Sequence, residues 1–205
     1  MSLKSNSCKL KAQSSVEEYY QIKIKEVLEG MDFYDVIRTR RSIRSYSADA
    51  IPEEVLQRVM KAAGVAQSGG NRQPWHYIII TDKERIKEMV PLCADQAFIA
   101  QAPVLIVACG MNLNTNRGGY MGDFGVLVDV SISFSQLTLA ARVEDLGTCW
   151  IGSFDNNAVK KYLEIPDDVQ VVALTPLGYP AESGAFFENA TKKDLKEILS
   201  YEKYR

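Results

Sequence analysis

Apolar residues recur along the chain in two rhythms, one helical and one extended. Val55, Leu56, Val59, Met60 and Ala63 keep the three-and-four spacing of a single helix face, with Pro52 at the first turn and Glu53 and Glu54 near the positive end of the helix. Asp32 is placed to cap a short helix running through Arg38. Two more helices are expected where an Asp precedes an amphipathic run: Asp82–Val90, with Glu84 early, and Asp155–Leu163, with Val159, Tyr162 and Leu163 on one side. Three short apolar runs, His76–Thr81, Val104–Cys109 and Val169–Leu174, read as buried strands bounded by Pro, Gly or Asp. Between the second helix and the first strand, AQSGGNRQP (66–74) is a loop, because Gly-Gly, Asn and Pro resist regular structure. Strands interleaved with helices make a layered α/β or α+β domain.

One segment sends two signals. From Val128 to Ser135 apolar and polar residues alternate strictly, which alone is a strand pattern. The longer stretch Asp123–Leu146 has no Pro, continues through Gln136-Leu137-Thr138-Leu139-Ala140-Ala141-Arg142 and stops at Gly147, where a left-handed residue would end a helix. The length favours helix, and the small Ser side chains suit close helix packing. Upstream, Val16, Tyr19, Tyr20, Ile22, Ile24, Val27 and Leu28 have the spacing of an amphipathic helix behind a polar start. Residues 1–30 are therefore expected to be a partly helical extension, and 31–205 a single domain.

The 205 residues are 46% hydrophobic and 24% charged, with a formal net charge of −2. Such a chain buries enough surface to fold without disulfides or a metal. Its balance of charge, with a pI of about 5.6, excludes a protein whose main work is coating nucleic acid or an anionic membrane. With His76 the single histidine, sites built from several imidazoles are impossible. Cys8, Cys93, Cys109 and Cys149 form no C-x-x-C pair, so neither a zinc ribbon nor a dithiol motif is written here. Met1–Tyr20 lacks an apolar signal core, and the uncharged stretch Gln96–Asn116 is broken by Gln101, Pro103, Gly110 and several Asn. A cytoplasmic protein with no membrane anchor is expected.

Three clusters carry candidate chemistry. Arg38, Arg40, Arg41 and Arg44, with Ser42 among them, concentrate guanidinium groups where a helix gives way to extended chain, a composition suited to a terminal phosphate. A solvated basic face accounts for it equally well. The second cluster, Ser68-Gly69-Gly70-Asn71-Arg72-Gln73-Pro74-Trp75-His76, lets a backbone approach a ligand closely, although an ordinary turn has the same composition. The third, Leu146–Gly152, places two glycines after the long segment. No G-x-G-x-x-G, P-loop or G-x-S-x-G is present, so a Rossmann site, a P-loop and a serine triad through His76 lack support.

Taken in order, R-R-S-I-R-x-Y at 40–46, N-x-Q-P-W-x-Y at 71–77, Ala102-Pro103 before a strand, L-G-x-x-x-I-G at 146–152 and Leu177-Gly178-Tyr179-Pro180 resemble the nitroreductase family of flavoproteins, from Asp32 to Tyr204. The resemblance implies an α+β three-layer sandwich whose mainly antiparallel central sheet is flanked by helices, assembled as an intertwined homodimer with FMN at the subunit interface. It also makes Asp123–Leu146 the central dimer helix. Arg40, Arg41, Ser42 and Arg44 fall where the family contacts the FMN phosphate, ribityl chain and pyrimidine edge. Gln67, Ser68, Gly69 and Asn71 fall where the partner subunit contributes to the same flavin. Gln96 takes the place of an amide that reads the ring, and Ile151 and Gly152 match the loop whose backbone amides face it. Lys192 and Lys193 lie in the stretch that usually sets basic residues on the phosphate, although Gly184-Ala185-Phe186-Phe187 before them lacks the usual Pro and basic residues.

The implied activity is NADH- or NADPH-dependent reduction of nitroaromatics, quinones or flavins by a two-step exchange at one flavin face, with no dedicated catalytic side chain and small molecules as partners. A dehalogenating or flavin-fragmenting enzyme of the same fold is the alternative. A non-catalytic module that docks an anion or RNA on residues 38–44 is a third. The short connection 111–122, rich in Asn and Gly, implies an open pocket.

Overall fold

In the computed structural model the described residues are 31–111, 124–188 and 191–204. The expected helix before Gly30 and most of the connection 111–122 lie outside them. The chain divides into two compact units, Met1–Val36 and Ile37–Arg205. The described part of the first is residues 31–36, where Asp32 Oδ1 accepts from the Tyr34 N–H at 2.9 Å and starts helix α1 (Phe33–Thr39).

The second unit is built on a four-stranded antiparallel sheet of β1 (Trp75–Ile80), β2 (Val104–Met111), β3 (Gly147–Thr148) and β4 (Val169–Gly178), in the order β1-β2-β4-β3. Helices cover both of its faces. From β2, Val104 and Ile106 join Val55, Leu56, Val59 and Ala63 of α2 (Glu53–Gly64) and Leu137 and Ala141 of α4 (Gly125–Val143). Leu105, Val107 and Cys109 point the other way, to Ile86 and Met89 of α3 (Lys83–Leu92) and Val159 of α5 (Asn156–Tyr162). The period of two along β2 thus feeds two cores, which is why seven of its eight residues are buried and the run reads as continuously apolar. β1, by contrast, is an edge: Ile79 is 39% exposed and the His76 side chain is exposed, so the expectation of a buried first strand is corrected. The Asp caps are found as expected, Asp82 Oδ1 accepting from Glu84 N at 2.9 Å and Asp155 Oδ1 from Ala158 N at 3.0 Å.

The ambiguous segment is helix. Val130, Phe134, Leu137 and Ala141 make its buried stripe, while Leu127 and Val128 are about 40% exposed on another side. Two apolar faces on one helix produce the strand-like alternation. By length and composition α4 would also cross a membrane, yet a third of that window is buried, with its core stripe packed on α2 and the sheet. Ser133 is fully buried because its hydroxyl donates to Ala63 O at 2.8 Å and meets Tyr77 Oη at 2.7 Å, joining α4, α2 and β1. The helix stops at Val143, earlier than expected. Asp145 (φ 55°) takes the left-handed position, and Gly147 instead enters β3, where a Cβ would lie 2.7 Å from Ile43. Its missing side chain serves close packing, not helix termination.

Candidate functional site

After α1 the chain runs extended and is pinned to β3: Ile43 N–H donates to Thr148 O at 2.9 Å, and Ser42 bridges Thr148 in parallel. Ile43 and Tyr46 turn inward, the Tyr46 hydroxyl donating to Ile43 O at 2.6 Å and its burial pushing its pKa up. Ser42 and Arg44 are left facing out.

The arginines divide by role. Arg38 pairs with Glu188 at 2.8 Å. Arg41 folds back on its own backbone, donating through Nη2 to Arg38 O at 2.8 Å and through Nη1 to Arg40 O, with Phe187 against its guanidinium at 5.0 Å. Burial, then the neighbouring Arg40, lowers its pKa. Arg41 therefore closes the end of α1 with one N–H from each Nη, while its buried Nε has no hydrogen-bond partner among the described residues. Arg40 and Arg44 have no side-chain hydrogen bond or ion pair to a described residue. Both bear on Cys149, whose thiol is raised by burial and drawn down by Arg44, a Ser42 hydrogen bond and Arg40. Arg40, Ser42 and Arg44 thus lie beside β3 as a pair of cations uncompensated among the described residues, with a hydroxyl, which is chemistry for an anion.

Directly after Cys149 comes the loop that carries Ile151 and Gly152. Ile151 N–H donates to Leu174 O at 2.8 Å and Leu174 N–H returns the bond at 3.1 Å, so the Ile151 amide is committed to the sheet and cannot face a ligand. The Gly152 amide has no acceptor among the described residues and is exposed. Gln96 reaches this loop from the other side, its Nε2 donating to Cys93 O at 2.8 Å and Ser153 O at 3.2 Å. The structure uses its amide nitrogen to hold the loop.

The Gln67–Asn71 segment lies elsewhere. Its tight turn has Gly70, Asn71 and Gln73 at positive φ (64°, 55° and 51°), closed by Gln73 N–H on Ser68 Oγ at 2.9 Å. Gly69 N–H donates to Asp129 Oδ1 at 2.9 Å. Asp129 was not among the expected site residues, although one signal marks it: it is the sole acid in α4. The same helix holds the arginine segment at its far end, where the nearly buried Arg142 donates through Nε to Thr39 Oγ1 at 3.1 Å. From Asp129 to Arg142 is about 20 Å along the axis at ~1.5 Å per residue. One chain therefore does not bring Gln67–Asn71 to Arg40–Arg44.

Nor does it bring Lys192 and Lys193 there. Both are exposed just before the short helix α6 (Leu195–Ile198), capped by Asp194, and no contact joins them to the arginines among the described residues. The segment that does reach the cluster is Phe186–Glu188.

Comparison with known proteins bears on the site as a whole. The profile of the Nitroreductase family matches residues 37–103 and 92–179. A protein of Archaeoglobus fulgidus named "Putative NADH dehydrogenase/NAD(P)H nitroreductase" is 34% identical over 157 residues, 75% of this chain and 88% of that one. The iodotyrosine deiodinase of Nematostella vectensis is 26% identical over 202 residues, 82% of this chain and 74% of that one. Among solved structures, a nitroreductase family protein from Clostridium novyi NT superposes with a TM-score of 0.68 at 32% identity, covering 82% of this chain and 91% of that one.

Proposed function

The chain belongs to the nitroreductase family and is an oxidoreductase, and from that footing we propose that two copies hold FMN between them and use NADH or NADPH to reduce nitroaromatics, quinones or free flavins. The observation that carries this reading is the convergence beside β3 of Arg40, Ser42 and Arg44 with the loop bearing the Gly152 amide, which has no acceptor among the described residues. These residues fit the cofactor: two guanidinium groups and a hydroxyl for its phosphate and ribityl chain, and a backbone donor for its ring. Bound there, FMN would supply the hydride and two-electron chemistry that links the nicotinamide to the acceptor. Arg44 and the Gly152 N–H would favour negative charge on the reduced ring by fixed electrostatics, with no side chain moving a proton.

The same geometry supports a homodimer. Gln67 and Asn71 lie about 20 Å along α4 from Arg142, which ties down the arginine end, so they serve a flavin only from a second copy. An apolar groove of about 460 Å³ along α4, lined by Phe124, Leu127, Val128 and Ile132, supports that association.

The purified protein, incubated with FMN and desalted, should be yellow, bleach anaerobically with NADH or NADPH and recover with a quinone. A colourless product overturns the reading. A second reading, reductive dehalogenation of a halogenated aromatic, is favoured by the similarity to iodotyrosine deiodinase. Iodide release from iodotyrosine under the same anaerobic conditions tests it.

A further inference from the structure

The loop that carries Gly152 is fixed on two sides. On the sheet side Ile151 O accepts the Leu174 N–H at 3.1 Å. The C=O and N–H of a trans peptide point opposite ways, so the Gly152 N–H of that same peptide is aimed away from β4. On the other side the loop is bound to the end of α3, whose last carbonyls have no partner within the helix. Asp155 N–H donates to Leu92 O at 2.8 Å, and Gln96 Nε2 bridges Cys93 O at 2.8 Å and Ser153 O at 3.2 Å. Between these anchors Phe154 packs on the core that holds Ile86 and Met89.

Gln96 is delivered to this place by a strained turn. Ala94 and Asp95 are both left-handed, with φ of 54° and 55°, a conformation that costs any residue with a Cβ. Such strain persists where the surroundings over-determine it, and it gathers at sites that need a fixed geometry. Here the turn is held by Asp95 N–H on Val90 O at 3.1 Å and Gln96 N–H on Cys93 O at 3.3 Å, and it leaves the Gln96 amide facing Ser153, 57 positions further along the chain. Among the described residues no other side chain bonds the backbone of Gly152 or Ser153. Gly152 itself is free to rotate on either side of its Cα, so without that bond Ser153 can swing across the Gly152 N–H.

We propose that Gln96 is a positioning residue of the flavin site: without touching the cofactor, it clamps Ser153 to the end of α3 and so keeps the Gly152 N–H open toward the ring. This assignment rests on the flavin reading above. It also gives the strained turn a purpose, since the turn sets the reach of the clamp.

The test compares Gln96→Met and Gln96→Glu, which keep the side-chain length and remove the amide donor, with Gln57→Met, a change on the exposed face of α2. Amide exchange of the apoprotein is followed residue by residue. The Asp155 N–H, held by Leu92 O, should exchange about ten-fold faster in both Gln96 variants, while the Ile151 N–H, held by β4, keeps its wild-type rate. In the FMN-loaded protein the Gly152 N–H favours negative charge on the reduced ring, so loosening it costs reduced FMN more than oxidised FMN. A ten-fold preferential loss reads as a midpoint potential lower by about 30 mV for the two-electron couple. Q57M should move neither quantity. An unchanged Asp155 exchange rate, an unchanged potential in both Gln96 variants with FMN bound, or equal shifts in Q57M overturns the assignment and leaves the flavin reading standing. A wild type that binds no FMN overturns both.

Discussion

Asp129 Oδ1 accepts the Gly69 N–H at 2.9 Å, tying the one acidic position of α4 to the turn that displays Gln67 and Asn71. A hydrogen bond to a charged group of this kind is worth about 1.5–3 kcal/mol. Asp129→Ala should lower the melting temperature by several degrees and weaken FMN binding roughly ten-fold through loss of the turn, at the cost of ~1.4 kcal/mol per factor of ten. Asp129→Asn keeps an acceptor and should recover most of the loss. Equal damage by both variants would show that the carboxylate acts otherwise than as this anchor.

Ser133 is a polar residue that the core requires. Ser133→Ala removes one of the donors to Ala63 O, which keeps the Ala66 N–H at 3.3 Å, and leaves the half-buried Tyr77 hydroxyl without its partner, at a cost of about 1–3 kcal/mol. Removing the phenol as well, in Ser133→Ala with Tyr77→Phe, should cost less than the sum of the two single changes. Urea midpoints of the four proteins give the coupling directly, and strict additivity would refute it.

Arg44 and Arg41 should separate by assay. Arg44→Ala leaves the fold intact, because its side chain is exposed and joined to no described residue by hydrogen bond or ion pair, and should weaken FMN retention ten-fold or more. Arg41→Ala strips two carbonyl contacts from the end of α1 and should show mainly as lowered thermal stability. Retention measured by desalting, beside a thermal scan of each apoprotein, distinguishes the two.

Stability should fall on the alkaline side. Burial raises Cys93 and Cys109 from 9.0 to about 11, and Tyr77 from 10.0 to about 12 against the pull of Ser133. In each case the unfolded chain loses its proton first. The stabilisation is therefore complete below about pH 9 and is lost progressively as pH rises through about 11 to 12. Urea midpoints flat from pH 7 to 8.5 and falling above 9 are expected, with Cys109→Ala flattening part of the decline.

What was legible in the chain was whatever a local rule encodes. Asp82 and Asp155 announce their helices, and the apolar run of β2 announces a strand covered on both faces. β3 was not legible, because two residues have no period; Gly147 and Thr148 are strand only through Gly178 and Leu177 on β4. The same limit applies at the site. R-R-S-I-R marks a place for an anion, but only the fold separates Arg41, turned onto the end of α1, from Arg44, left outward. The pattern at 146–152 likewise cannot tell that the Ile151 amide is taken by Leu174. Asp129 stood out in an apolar helix without revealing its partner, sixty positions earlier in the chain.

Seen as a part with a fixed gauge, α4 constrains its own variation. Asp129 and Arg142 hold different neighbours from one rigid element, so both the distance between them and their relative bearing are set by residue count alone. Deleting one residue between them shortens the span by about 1.5 Å and swings everything beyond it by about 100°, turning Arg142 away from Thr39 and the Ala141 stripe out of the core. Outside the apolar groove, composition on the outer face of this helix is free to drift in a way that its length is not.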